Sequence, residues 1–297
     1  MTTVRPALAV LACVTLAGCG LAGSNRQTTF PKGSSMARIQ ERDMLTVGIK
    51  FDQPVFGYKD PSTGWIIGFD AEIARLVARD ITGSERKIRF IETVSRNREE
   101  FLRRGVVDMV VATYSITAER RRQVDFAGPY YYAGQDMLVR ADNQDIHDVT
   151  DLAGKKVCTV SGSTSMERLR SRVRARLVIV DTYSECVPAL RNGRIDAVST
   201  DDTILLGLMS RNPGAMRLVG KPFGKEPYGI GVRSGDAVFR RYLDGLIRRS
   251  LRDGSWDRAY RDTVGAVATS TGAPTRPTVG ATDVSNAPAA GDAPRAR

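Results

Sequence analysis

Two ten-residue stretches of this chain follow one pattern. Phe101-Leu-Arg-Arg-Gly-Val-Val-Asp-Met-Val110 is matched by Ala189-Leu-Arg-Asn-Gly-Arg-Ile-Asp-Ala-Val198, which starts 88 residues later. Each reads as a helix end, a glycine stop and a strand that carries an aspartate. A chance match aside, a chain that builds this unit twice folds into two similar halves. The surroundings agree. Strand-like Leu45–Lys50, Lys87–Glu92 and Val106–Ala112 alternate with helix-like Asp70–Asp80 and Arg96–Arg104. Strand-like Lys156–Val160, Leu177–Val180 and Ile195–Ser199 alternate with helix-like Ser163–Val173 and Ser184–Arg191. That order implies an α/β protein with parallel sheets.

The ends lie outside this pattern. Met1–Pro6 carries one cation, Arg5, and Ala7–Leu16 is apolar but far shorter than the roughly 20 residues that span a bilayer. Small residues then lead to Cys19 in Leu16-Ala17-Gly18-Cys19. Residues 1–18 read as an export signal. Their end resembles the bacterial lipobox, in which the cysteine is lipidated and becomes the mature N-terminus; an ordinary secretory signal is the alternative. Residues 19–35 read as a flexible spacer. Residues 266–297, rich in Ala, Thr, Pro and Gly, read as a disordered tail.

Export conditions the remaining chemistry. Without Arg5 the chain keeps 43 basic against 33 acidic residues. Nucleic acid is not expected outside the cell. The runs Arg120–Arg122 and Arg168–Arg176 read as solvated helix faces, or as faces toward an anionic membrane or partner. Cys13 leaves with the signal and Cys19 takes lipid, so Cys158 and Cys186 remain. In an oxidising compartment this pair favours a disulfide over two buried thiols. One histidine, His147, leaves little material for a metal site or a Ser-His triad. No metal or cofactor is expected, and His147 reads as a surface residue.

Where strands of an open α/β sheet end, the next helix start offers free amides and a positive dipole. The stretch VVATYSITAER, Val110–Arg120, ends a strand with Thr113, Ser115 and Thr117. Thr117 is placed to cap a helix with Arg120 in its first turn. A cation there opposes the dipole. An incoming carboxylate gripped by the guanidinium would offset that; pairing with Glu119 or Asp125 on a solvated helix is the other reading. In the second half Ser161-Gly162-Ser163-Thr164-Ser165-Met166-Glu167 offers another anion-receptive helix start, with Thr164 and Glu167 as a capping box. Ser199-Thr200-Asp201-Asp202 then places Asp201 to accept from an ammonium, with Asp202 as the cap of a helix from Thr203. Arg120 for a carboxylate and Asp201 for an ammonium describe the head of an α-amino acid.

These residues resemble the extracytoplasmic solute-binding proteins, family 3, that serve polar amino acid ABC importers. The motifs are Leu45-Thr-Val-Gly48, Gly68-Phe69-Asp70, Gly105-Val-Val-Asp108, Ser115-Ile-Thr-x-x-Arg120, Gly162-Ser-Thr164 and Gly193-Arg-Ile-Asp-Ala197. Ile49–Pro54, Thr200–Asp202 and the cysteine contexts look most like actinobacterial glutamate-type lipoproteins. The resemblance implies a periplasmic-binding-protein type II-like clamshell of two α/β lobes with a ligand cleft and two hinge strands. Lobe 1 would be 36–140 plus 226–265 and lobe 2 would be 141–225, with crossings near Leu138–Ala141 and Lys225–Val232. It also implies ligand contacts. Arg120 would hold the carboxylate with the amides of Ser115 and Thr164, and Ser163 would also contact the ligand. Asp201 would take the ammonium with Thr113 and Ser115. Phe69 would cover the aliphatic part. Lys50 would favour an acidic side chain, unless it is a surface lysine. Gln53 stands where many members carry an aromatic, which suggests a polar pocket for Glu, Asp, Gln or Asn.

The expected function is a monomeric, lipid-anchored receptor on the outer face of the cell membrane, delivering its amino acid to an ABC importer permease. A ligand-sensing subunit of a transmembrane signalling system would use the same cleft. Catalysis is not expected, since no paired carboxylates or activated nucleophile emerge.

Overall fold

The computed structural model describes residues 29–271 and Val279. The signal, Cys19 and most of the expected tail therefore lie outside the described residues. In chain order the strands are β1 (Leu45–Ile49), β2 (Asp52–Gln53), β3 (Gly57–Lys59), β4 (Ile66–Ile67), β5 (Ile88–Glu92), β6 (Met109–Val110), β7 (Val124–Arg140), β8 (Lys156–Val160), β9 (Arg176–Val180), β10 (Ala197–Asp201), β11 (Met216–Leu218) and β12 (Phe223–Arg233). The helices are α1 (Ser35–Arg42), α2 (Phe69–Thr82), α3 (Arg98–Arg104), α4 (Thr164–Arg172), α5 (Cys186–Arg191), α6 (Asp202–Ser210), α7 (Ala237–Asp253), α8 (Ser255–Tyr260) and α9 (Ala266–Thr271).

Nine strands form one sheet in the order β5-β1-β6-β12-β7-β10-β8-β9, with β11 added on β7. β1 is parallel to β5 and β6, and β8 is parallel to β9 and β10. These two parallel triplets match the expected halves. Between them the sheet is antiparallel: β12 pairs with β6 and β7, and β7 pairs with β10. The sheet is therefore mixed rather than parallel throughout. Expected crossings near Leu138–Ala141 contrast with the register. β7 pairs with β12 up to Ala133 and Gln135, and Gln135 already pairs with Asp201 of β10.

The repeated segment has a physical meaning. Gly105 and Gly193 end their helices at φ 68° and 67°, a conformation open to glycine at little cost. The aspartate three residues on then ties its strand to the parallel neighbour. The Asp108 N–H donates to Thr46 O at 2.9 Å, while its Oδ2 accepts from Thr46 N at 2.8 Å. Asp196 does the same at Lys156, with 2.9 and 2.7 Å. Only Met109–Val110 of the expected Val106–Ala112 strand pairs as strand, because this ring of bonds starts the ladder at residue 109.

The first half closes over an aromatic cluster. Phe56 stands edge-on to Phe69 and Tyr131, Tyr131 stacks on Tyr228, and Trp256 stacks on Tyr260. In the second half Leu138, Tyr183, Leu190, Val198 and Leu205 pack around a disulfide between Cys158 and Cys186, whose Cα atoms lie 5.8 Å apart. Two expectations about the ends change. Phe30 is buried edge-on to Tyr242 and Ser34 caps α1, so residues 30–35 are part of the body, not spacer. Residues 266–271 are helical, and Val267 and Val279 pack on the core; a few valines supply apolar contact that the small-residue composition hides. Among the described residues no helix is long and apolar enough to cross a membrane.

The disulfide closes a loop of 28 residues. Replacing both Cys158 and Cys186 by alanine should lower unfolding free energy by about 3 kcal/mol. Urea denaturation of the oxidised and reduced protein measures it; equal midpoints would show that the bridge adds nothing.

Candidate functional site

The C-terminal end of β6 delivers the chain into residues 112–120. Thr113 has φ +44°, an unfavourable conformation for a β-branched residue. Asp70 at the start of α2 holds it there: its Oδ2 accepts from Thr113 N at 2.8 Å and its Oδ1 from the Tyr130 hydroxyl at 2.7 Å. Burial pushes the Asp70 carboxyl up to about 6. Strain maintained by surrounding bonds is common where side chains or backbone meet a ligand.

Thr117 Oγ1 accepts from Arg120 N at 3.2 Å, as a cap would. The segment it caps is a single 3-10 turn, Arg120–Arg122, and not the expected helix, because β7 begins at Val124. No helix dipole therefore opposes Arg120. Its guanidinium is nonetheless buried. Nη1 donates to Ser115 O at 2.8 Å and Nη2 donates to Gly162 O at 3.1 Å, so one side chain bonds both halves. It lies 5.1 Å from the Tyr114 ring centroid, with Glu99 3.7 Å from Nε.

In the second half the cap of α4 is Ser163, not Thr164: Ser163 Oγ accepts from Met166 N at 3.0 Å. Thr164 is thereby freed, and its hydroxyl donates to Glu226 Oε2 of β12 at 2.9 Å. Arg168 is not a solvated residue either. It pairs with buried Glu226 at 2.5 Å and donates to Gln135 Oε1 at 2.8 Å. Asp201 ends β10 and α6 starts at Asp202, so Asp202 is the first helical residue and not the cap. Asp201 makes no capping bond. Its Oδ2 accepts from the Tyr228 hydroxyl at 2.5 Å, and Ser165 Oγ donates to Oδ1 at 3.4 Å. Burial first, then Glu226, pushes the Asp201 carboxyl up to about 8.

Thr113, Ser115, Arg120, Ser163, Thr164 and Asp201 all line one hollow between the halves. Two expected residues do not. Phe69 is fully buried in the aromatic cluster of the first half, 5.4 Å from the Trp256 ring, because its place at the start of α2 turns it into the core. Lys50 is buried behind the wall, neither surface nor lining, with Nζ donating to Ser95 Oγ at 2.9 Å. Burial and then Arg98 lower its pKa to about 7.

Sequence reasoning missed Ser95 and Arg98 of the first half and Ser165, Tyr183, Thr200 and Ile204 of the second, all lining the same hollow. Gln53 also lines it, and its Oε1 accepts from Thr113 Oγ1 at 3.0 Å. Arg98 carries the most chemistry. It is 2% exposed, donates to Ser95 O and Ala112 O at 3.2 Å each, and lies 4.1 Å from the Tyr114 ring centroid. Burial and then Arg120 lower its pKa to about 10. Among the described residues no carboxylate forms an ion pair with it. The sequence signal for it was a helix start beside a strand end, the same signal that marked Arg120.

The hollow is drawn down to about 10 Å³ of free space, close to what one water needs. It borders a groove of about 1280 Å³ with which it shares Ser95, Arg120, Ser163 and Thr164. Contacts across the gap hold it shut. Arg96 pairs with Asp181, and Asp52 Oδ2 accepts from Tyr183 N at 2.9 Å. Gly162, at φ +73°, brings its backbone so near that a Cβ there would lie 3.0 Å from Arg96 Cα. The arrangement can clasp a small zwitterion, with a cationic wall on one side and an acid on the other.

Known proteins share this architecture. A glutamine-binding protein of an ABC transporter, GlnH of Bacillus subtilis, is 38% identical over 257 residues, 86% of this chain and 93% of its own. The glutamate-binding protein GluB of Corynebacterium efficiens is 35% identical over 268 residues, 86% of this chain and 88% of its own. A solved solute receptor for L-cysteine from Neisseria gonorrhoeae is 30% identical with a TM-score of 0.74, covering 79% of this chain and 95% of its own. With type II periplasmic amino-acid-binding proteins as structural neighbours and residues 45–266 matching the family as a whole, the chain belongs to the bacterial extracellular solute-binding proteins, family 3.

Proposed function

We propose that this protein captures glutamate or a close acidic or amide amino acid in the hollow between its halves. The single observation that carries this is the placing of Arg120 and Asp201 on one hollow, with a buried Arg98 beside them that lacks an ion-pair partner among the described residues. Arg120 takes the α-carboxylate, with Ser115 and Thr164 supplying further donors and Ser163 lining the hollow beside them. Asp201 takes the ammonium with Thr113 and Ser115. Arg98 and Ser95, with Lys50 behind them, complement a side-chain carboxylate or amide; a buried cation gains most from a full negative charge. The names of the glutamine- and glutamate-binding relatives support the same class.

One lobe is built on the β5-β1-β6 triplet and the other on the β8-β9-β10 triplet, and the lobes part about β7 and β12 to admit ligand. The protein is a monomer, held outside the cell by lipid on Cys19, and hands its ligand to an ABC importer permease. It binds without transforming: the hollow offers hydroxyls, cations and, among the described residues, the single acid Asp201, which the ammonium takes up, and the sole histidine, His147, is exposed elsewhere.

Calorimetry against the twenty amino acids should find glutamate or glutamine at micromolar affinity, about −8 kcal/mol. Preference for arginine or lysine would overturn the assignment. Arg120→Ala should weaken binding by about 2–5 kcal/mol, since it removes one partner of a buried charge pair; near-normal affinity would remove Arg120 from the site. The pH dependence has a definite sign. In the closed hollow burial, then Glu226, pushes the Asp201 carboxyl up to about 8, yet an ammonium needs the carboxylate. Where Asp201 is protonated before binding, capture of the ammonium must expel that proton, so affinity should rise with pH through the neutral range and then level. Titration in buffers of different ionisation heat reads the proton directly, and Asp201→Asn should abolish the release.

A further inference from the structure

We propose that the outward face of α7 rests on an anionic lipid surface. The helix has two distinct sides. Phe239, Leu243, Leu246, Ile247 and Ser250 are buried against the body. Arg241, Arg248 and Arg252 are spaced by seven and four residues, so they share the opposite face. Arg241 and Arg252 are exposed and Arg248 is half-buried.

The acids around this face are already engaged. Asp244 lies nearly buried, accepts from Gly128 N at 2.9 Å and pairs with Arg240 at 3.2 Å. Asp80 pairs with Arg249 at 2.7 Å, Asp236 accepts from Ser35, and Asp253 accepts from Ser255 N at 2.9 Å. Among the described residues Arg241, Arg248 and Arg252 have no ion pair. Arg121, from the turn beside this helix, presses on Arg240 and is itself lowered in pKa by burial and that repulsion. One buried carboxylate, Asp244, is shared among Arg240, Arg248 and Arg121, so cations outnumber acids on this face.

Its position relative to the chain's start selects the occupant. The N-terminal segment is fastened to the same helix: Phe30 stands edge-on to Tyr242, and Ser35 bonds Asp236. Ten residues separate Cys19 from Phe30, a leash of at most about 40 Å. The choice of a membrane rests on the reading that Cys19 carries lipid. Given that anchor, α7 stands within reach of the headgroups. Arginines feel an anionic surface only within a Debye length, about 8 Å at physiological salt. A stripe facing it adds a second, electrostatic hold to a single lipid attachment.

The test uses the chain starting at Gly20, which keeps every described contact, with vesicles containing phosphatidylglycerol or phosphatidylcholine alone. Flotation should recover it with the former at low salt and lose it at high salt. The triple variant R241A/R248A/R252A should bind about 100-fold more weakly. A control of equal charge change, R172A/R174A/R176A on the exposed end of α4 and beyond, should lose far less, and ligand titration of both variants checks that they fold. No preference for phosphatidylglycerol, or equal loss in both variants, overturns the proposal. Mass analysis of Cys19 from membranes tests the anchor separately. An unlipidated Cys19 removes the anchor while the vesicle result stands, and the reverse outcome removes only the docking face.

Discussion

The antiparallel ladder between β7 and β12 makes one cleft from two parallel sheets. β7 is seventeen residues long, far more than an average strand, and it changes partner from β12 to β10 at Gln135. The second-half wall of the hollow is held from this pair. Tyr228 and Glu226, both on β12, bond Asp201 and the Thr164–Arg168 segment of α4. A strand shared by both halves sets the register of the two walls.

Burial gives the site its chemistry and its cost. Lys50, Arg98 and Arg120 stand on or behind one wall, while Asp70 and Asp201 are buried nearby with raised pKa values. Charges taken from water destabilise a fold unless bonded. Here carbonyls of Ser95, Ala112, Ser115 and Gly162 take the guanidinium hydrogens, and Tyr130 and Tyr228 donate to the acids. The result is a wall of preoriented donors whose compensation is incomplete, which is what a charged ligand can exploit.

The ends of the chain show how composition misleads. Residues 266–271 and 30–35 are poor in large apolar groups, yet Phe30 and Val267 find contact on the core. Pattern reading asks whether a segment could build its own core; it does not detect one or two side chains that complete another segment's. Phe69 is the opposite case. Its motif placed it near a ligand, and its position at the start of α2 packs it against Trp256.

The repeat of Phe101–Val110 and Ala189–Val198, the alternation of strand and helix, the pairing of Cys158 with Cys186 and the place of Arg120 and Asp201 after strand ends could be read from the chain. They depend on local periodicity, turn residues and the spacing of charges after strands, all short-range properties. The tertiary structure alone decided that Lys50 stands behind Ser95, that Arg98 joins the wall, that Ser163 caps α4 and that Asp201 is held by Tyr228. Those facts depend on which residues meet across β7 and β12 after long separations in sequence, and no local pattern encodes the partner on the far side of a cleft.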